Sequence, residues 1–335
     1  MKAVVYEGFG SPDILRCQDV EKPAPGENEV LIKVCAASIN PLDWKLMKGG
    51  PFLIRILLGL GKPKIRRPGV DVAGEVEAIG RNVRQFKPGD EVFGTCMGAF
   101  AEYATSASVF GLKSALVIKP ENVTFDQAAS APVAALTALQ GLRDKGRIQA
   151  GQQVLVNGAA GGVGTFAVQI AKLFGAHVTG VCSAGNVNLV RSIGADRVID
   201  YIRNDFTQSG ERYDLILDCV GNRSLSACRR VLNPQGTLVL VGAPDRATGI
   251  VARTIGALVW SRLGTKKMLF FIARMNKEDL TTVGEFMATG KVTPVIDKRF
   301  SLSEAREAFQ YMEKGHARGK VVITLACKSE TQGTG

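Results

Sequence analysis

The chain has 335 residues, 46% of them hydrophobic and 22% charged, a globular balance that excludes a disordered or fibrous protein; at roughly 150 residues per domain it predicts two domains. Its 42 Lys and Arg against 31 Asp and Glu leave a formal charge of +11. That surplus favours anionic partners without choosing among nucleotides, acidic membrane surfaces and nucleic acid. With only two histidines, His177 and His316, and no C-x-x-C pair, a zinc site is not expected. The seven cysteines (Cys17, Cys35, Cys96, Cys182, Cys219, Cys228 and Cys327) are odd in number and widely spaced, which reads as reduced thiols in a cytoplasmic protein.

The first residues, MKAVVYEGFGSPD, lack the apolar stretch of a signal peptide, and no uncharged apolar run reaches the roughly 18 residues of a membrane span. Residues 1–120 read as β-rich, with runs at Lys2–Tyr6, Glu29–Ala36, Val70–Ile79 and Glu91–Phe93 separated by Gly/Pro turns. The segment Phe52–Arg67 mixes apolar residues with five basic ones; it fits a lid, a peripheral membrane contact or a plain basic loop. Phe125–Arg143, rich in Ala and Leu, reads as one helix.

From Gly151 strands and helices alternate. Strands are expected at Val154–Asn157, His177–Cys182, Arg197–Ile199, Tyr213–Asp218 and Thr237–Val241, and helices at Val163–Phe174, Asn186–Ile193 and Ser224–Val231. This alternation predicts a doubly wound parallel sheet. Beyond it come a helix at Lys277–Thr289, a strand at Val295–Phe300, a helix at Ser303–Lys314 and a strand at Lys320–Leu325. The fold class is therefore α/β. A β-rich domain from both chain ends (1–124 and 273–335) encloses an inserted nucleotide domain (125–272).

The strongest motif is Gly158-Ala159-Ala160-Gly161-Gly162-Val163-Gly164, placed between a strand and a helix as a dinucleotide fingerprint requires. Small residues let the backbone approach a pyrophosphate, and the helix N-terminus offers unpaired N–H groups to it. The next strand ends Cys182-Ser183-Ala184-Gly185-Asn186, with no acidic residue between Asp144 and Asp196. An acid there would bind the ribose 2′-OH of NADH, so its absence favours NADPH. Ser183 and Asn186 either accept the 2′-phosphate or cap the following helix, and the two readings are compatible.

Several stretches together carry a family resemblance: Met1–Gly10, Ala37–Lys45, Pro68–Gly74, Phe86–Val92, Gly98–Tyr103, the glycine loop, Ile199-Asp200-Tyr201 and Ala317–Val322. The chain resembles a zinc-independent medium-chain dehydrogenase/reductase of the quinone oxidoreductase and alkenal/enone reductase type. The resemblance implies a GroES-like catalytic domain plus a Rossmann domain, an active site in the cleft between them, and a homodimer formed through an edge strand near Met268–Ile272. It implies hydride transfer from NADPH to a quinone or to the C=C bond of an enone. It places Asn40 and Lys45 beside nicotinamide and substrate, and Gly162 and Val163 at the pyrophosphate. Ser183, Asn186 and Tyr201 would surround the 2′-phosphate with help from Arg318 or Lys320, and Cys219 and Gly242 would lie where the cofactor crosses the sheet edge. Gly185 stands where many relatives carry a lysine.

Among catalytic candidates, Lys45 could donate to the oxygen that gains negative charge, with Asn40 beside it. Asp43 either orients Lys45 or caps a local turn. Tyr103 could supply a proton, though an aromatic in a strand reads rather as core, and His177 and His316 read as structural. The expected function is a zinc-free, NADPH-dependent reductase of quinones or enones. The alternatives are an enoyl-thioester reductase and a non-catalytic NADPH-binding protein. Nucleic-acid binding ranks behind these, because no basic run is interleaved with aromatics.

Overall fold

The computed structural model describes residues 1–49, 63, 66–106, 114–241, 256–257, 265–315 and 317–327. Gly242, His316 and most of the basic segment Phe52–Arg67 lie outside them. In chain order the elements begin with β1 (Lys2–Val5), β2 (Arg16–Asp19), β3 (Val30–Ile39), α1 (Pro41–Lys48), β4 (Asp71–Ile79), β5 (Glu91–Thr95), β6 (Tyr103–Thr105), β7 (Leu116–Ile118) and α2 (Phe125–Ser130). Then come α3 (Pro132–Gln140), β8 (Gln153–Asn157), α4 (Gly162–Leu173), β9 (His177–Cys182), α5 (Val187–Ser192), β10 (Arg197–Asp200), β11 (Tyr213–Asp218), α6 (Leu225–Arg230), β12 (Leu232–Leu240) and β13 (Lys267–Phe270). The chain closes with α7 (Lys277–Ala288), β14 (Ile296–Ser301), α8 (Ala305–Glu313) and β15 (Lys320–Thr324).

These elements form two compact units, Met1–Val133 with Met275–Gly290 and Ile296–Gly335, and Ala134–Arg274 with Lys291–Val295. The domain limits expected at 124 and 272 therefore move, for local reasons. The single helix expected over Phe125–Arg143 is broken at Pro132, whose ring nitrogen cannot donate to a preceding carbonyl. The piece before the break stays with the first unit, where the Asp126 carboxylate binds Arg299 and accepts from Thr324 Oγ1 at 3.2 Å. The piece after it ends in a π turn closed by Gly146 N–H to Gly141 O at 2.8 Å. Residues 291–295 return to the second unit because Gln169 and Thr293 exchange two hydrogen bonds of 3.0 and 2.8 Å.

In the first unit a mixed sheet runs β14-β15-β3-β4-β5-β7, with β6 also pairing β3. The ten residues VLIKVCAASI of β3 are almost all buried, as expected of a strand covered on both faces. The core beneath is built around Phe100 and Phe309, whose rings meet edge to face with centroids 5.7 Å apart. In the second unit six parallel strands run β10-β9-β8-β11-β12-β13, the doubly wound order expected of a nucleotide domain. Its core includes Leu155, Val181, Phe206, Ile216, Leu238 and Met268. Among the described residues no helix is long and apolar enough to cross a membrane.

The structure corrects the reading of all seven cysteines as reduced thiols: Cys35 and Cys327 form a disulfide. Antiparallel pairing of β15 with β3 sets Thr324 opposite Ala36 and joins Leu325 N–H to Cys35 O at 2.8 Å. This brings together Cα atoms 292 residues apart in sequence to 5.3 Å. Cys17, Cys96, Cys182, Cys219 and Cys228 form no disulfide. Thiol titration of the denatured, unreduced protein is therefore expected to count these five groups, with two more appearing after reduction; seven without reductant would reject the pairing.

Candidate functional site

Each unit contributes one constellation. In the second, β8 delivers the chain into the glycine turn and α4. Gly158 adopts φ +85°, a left-handed conformation that disfavours any side chain. At Gly164 an added Cβ would fall 2.0 Å from Gly158 O, so only hydrogen allows the helix to pass that close. Gly161 is the residue before the helix; it supplies no side-chain cap, and the first N–H groups of α4, on Gly162 and Val163, are free of an intrahelical partner. These five residues meet at one turn, as expected from sequence.

The neighbouring strand end holds Ser183 and Asn186. Asn186 Nδ2 donates to Ser183 Oγ at 3.2 Å, neither side chain caps the helix that follows, and Asn186 Oδ1 is buried with no hydrogen bond among the described residues. The capping alternative is thus not realised. Tyr201 is 45% exposed, and its N–H joins Cys182 O at 3.0 Å, which sets it beside the same strand end. Cys219 follows β11. Burial and the adjacent Asp218 push its thiol far above the usual cysteine range, which favours the neutral thiol over the thiolate.

Two residues here escaped sequence reasoning. Asn157 Nδ2 donates to Asp218 Oδ1 at 2.8 Å and to Asn222 Oδ1 at 3.0 Å, and Asp218 Oδ1 also accepts from Gly221 N–H at 2.8 Å. They lock the carboxyl ends of β8 and β11, the edge where ligands of open parallel sheets bind. A polar residue ending each of two apolar strands was the available signal.

In the first unit Asn40, Asp43 and Lys45 lie at the start of α1. Pro41 opens the helix and Gly49, at φ +81°, ends it. Asp43 is 2% exposed and accepts from Asn40 N–H at 2.8 Å and Gly69 N–H at 3.1 Å. Between its two open readings the structure selects the cap: Asp43 closes the helix and does not orient Lys45. Burial pushes its carboxyl up to about 7, opposed by the two N–H bonds, which favour the anion. Lys45 is partly exposed, and its ammonium makes no hydrogen bond or ion pair among the described residues.

Asn40 is 2% exposed and its amide is engaged at both ends, Oδ1 accepting from Lys320 Nζ at 2.6 Å and Nδ2 donating to Asp71 Oδ2 at 2.8 Å. Asp71 also accepts from Ser38 Oγ at 2.9 Å and from Val133 N–H at 3.0 Å. Lys320, 3% exposed, lies 3.4 Å from Asp71 Oδ2. This corrects its expected role at a 2′-phosphate: the ammonium is buried against Asn40 and Asp71. Arg318 is exposed, and its N–H donates to Asp297 at 2.9 Å.

Residues 26–134 match the family model of the alcohol dehydrogenase GroES-like domain, and residues 193–323 that of zinc-binding dehydrogenases. A chloroplastic quinone oxidoreductase of Triphysaria versicolor is 36% identical over 96% of this chain and 98% of its own length. The chain belongs to the medium-chain dehydrogenase/reductase family. The chloroplastic NADPH-dependent alkenal/one oxidoreductase of Arabidopsis thaliana is 33% identical, over 96% of this chain and 79% of that one. The solved quinone oxidoreductase of Coxiella burnetii superposes with a TM-score of 0.84 at 31% identity, covering 97% of this chain and 99% of its own. This medium-chain reductase therefore unites a GroES-like unit with a Rossmann-like one. It is an oxidoreductase that uses a nicotinamide cofactor on a small-molecule substrate.

The glycine turn, the uncapped start of α4 and the orphaned Asn186 oxygen fit a dinucleotide. A zinc ion is not matched in the same way. Among the described residues no group of three or more His, Cys, Asp or Glu side chains could hold a metal; the buried Asp43 carboxylate is engaged by two backbone N–H groups and that of Asp71 by N–H, O–H and ammonium donors.

Two outcomes follow. An ordinary aspartate titrates near 3.9 and Asp43 near 7, so between these values the unfolded chain holds fewer protons than the folded one. Stability is expected to fall as pH rises from about 4 to about 7, and Asp43→Asn to flatten that slope in denaturant titrations at stepped pH. Gly164→Ala is expected to cost about 1–3 kcal/mol in urea unfolding, and Gly161→Ala, whose Cβ would have only Gly158 O at 3.4 Å, clearly less. Equal losses would contradict the close-approach argument.

Proposed function

We propose that this medium-chain reductase is a zinc-free, NADPH-dependent enzyme that reduces quinones or the C=C bond of α,β-unsaturated carbonyls. The observation that carries the cofactor choice is the neutral end of β9, where Ser183 and Asn186, whose Oδ1 has no hydrogen bond among the described residues, stand in place of an acid. The acceptor class rests on the names of the relatives.

When bound, the nicotinamide supplies the hydride. The N–H groups of Gly162 and Val163 would hold the pyrophosphate at the positive end of α4, and Ser183, Asn186 and Tyr201 would surround the adenosine 2′-phosphate. Hydride delivery to a quinone or enone leaves negative charge on the carbonyl oxygen. Lys45, whose ammonium has no partner among the described residues, donates to that oxygen. The proton that completes the product comes from water; among the described residues no side chain presents itself as a general acid. We further propose a homodimer through β13, the edge of the parallel sheet, where Phe270 is 38% and Ile272 75% exposed.

Oxidation of NADPH and NADH against a panel of quinones, enones and enoyl thioesters tests the reading. Faster turnover with NADPH and with quinones or enones is expected, while turnover confined to thioesters would move the acceptor class. Lys45→Ala is expected to lower kcat/KM about tenfold or more, roughly 1.4 kcal/mol of transition-state stabilisation, with cofactor affinity little changed. Unchanged turnover would remove Lys45 from the chemistry.

A further inference from the structure

The buried pair Asp71–Lys320 and the side chain between them have no part in the function just proposed, yet they converge from three places in the chain. Lys320 begins β15, Asp71 begins β4, and Asn40 is the residue on which α1 starts. Ser38, Asn40, Asp71 and Lys320 are each 3% exposed or less. The two ends of the Asn40 amide face opposite chemistries. An ammonium only donates and a carboxylate only accepts, so Oδ1 must face Lys320 Nζ and Nδ2 must face Asp71 Oδ2. The reverse orientation would set amide N–H against ammonium and carbonyl against carboxylate, among side chains closed off from bulk solvent. The side chain is thus locked in rotation as well as place. The same residue's N–H is held by Asp43, so the first turn of α1 is tied at both backbone and side chain.

We propose that Asp71 and Lys320 are positioning residues, a charge clamp on Asn40 that fixes the first turn of α1 and with it the place of Lys45. The inference rests on the reading of Lys45 as the group that donates to the acceptor oxygen. Neither clamp residue touches substrate; both act through Asn40. Removing one charge would leave the other buried and unpaired, and loss of folding would hide the effect. The decisive variant is therefore the double Asp71→Asn/Lys320→Met, which removes both charges at similar volume, with Asn40→Ala as a second, independent release of the clamp.

In steady-state kinetics both variants are expected to remain folded, to bind NADPH within about twofold of the parent, and to lose kcat about tenfold with the acceptor KM little changed. Adding Lys45→Ala to either should then cost less than twofold further, because the clamp and Lys45 act as one unit. A folded double variant with parental kcat, or full additivity with Lys45→Ala, overturns the clamp. Hydrogen exchange over residues 41–48, followed by mass spectrometry, needs no turnover. It is expected to quicken tenfold or more in both variants, with exchange elsewhere unchanged. If the parent reduces no acceptor, the proposed function fails by itself, and this exchange decides the clamp: parental rates over 41–48 reject it.

Discussion

A carboxylate with no access to water organises the first unit. Asp71 is fully buried, and donors reach its carboxylate from several parts of the chain. They are the Ser38 hydroxyl at the end of β3, the Asn40 amide before α1, the Val133 N–H at the start of α3 and the Lys320 ammonium on β15. Taking one partner from a buried ion pair typically costs about 3–5 kcal/mol, a large share of a domain's net stability. The order β15-β3-β4 in the sheet is the arrangement that supplies these donors at once. The constraint that makes this unit fold thereby also places the helix bearing Lys45.

The second unit obeys a different constraint, close approach of backbone to backbone. Gly158 turns left-handed and Gly164 leaves no room for a side chain beside it, so β8 runs into α4 with the helix start exposed and uncapped. The polar edge around it is rigid, because Asn157 and Asp218 join the two central strand ends and Asp218 caps the turn that follows β11. A glycine turn backed by such a lock is preorganised, which would limit the ordering a ligand must impose on arrival.

Much of this architecture was legible in the residues themselves. The strands His177–Cys182 and Tyr213–Asp218 lie where apolar runs place them, and the glycine loop falls between strand and helix as its spacing requires. Misreadings arose where one residue interrupts a pattern. Pro132 divides an apparently continuous helix. For Asp43, which the sequence left open between cap and partner of Lys45, contacts to Asn40 and Gly69 decide for the cap. Lys320 looked like a phosphate ligand because a lysine beside arginine and glycine in sequence carries no mark of its burial.

The sequence by itself determined the α/β class, the dinucleotide turn and the absence of an acid after β9. Each is a property of contiguous residues, expressed through periodicity, glycine conformation and local charge. Only the tertiary structure decided which buried groups meet. Asn40 finds Lys320 across 280 positions, Asp71 finds it across 249, and Cys35 finds Cys327 across 292. Strand order and register set those distances, and no local pattern of residue types encodes them.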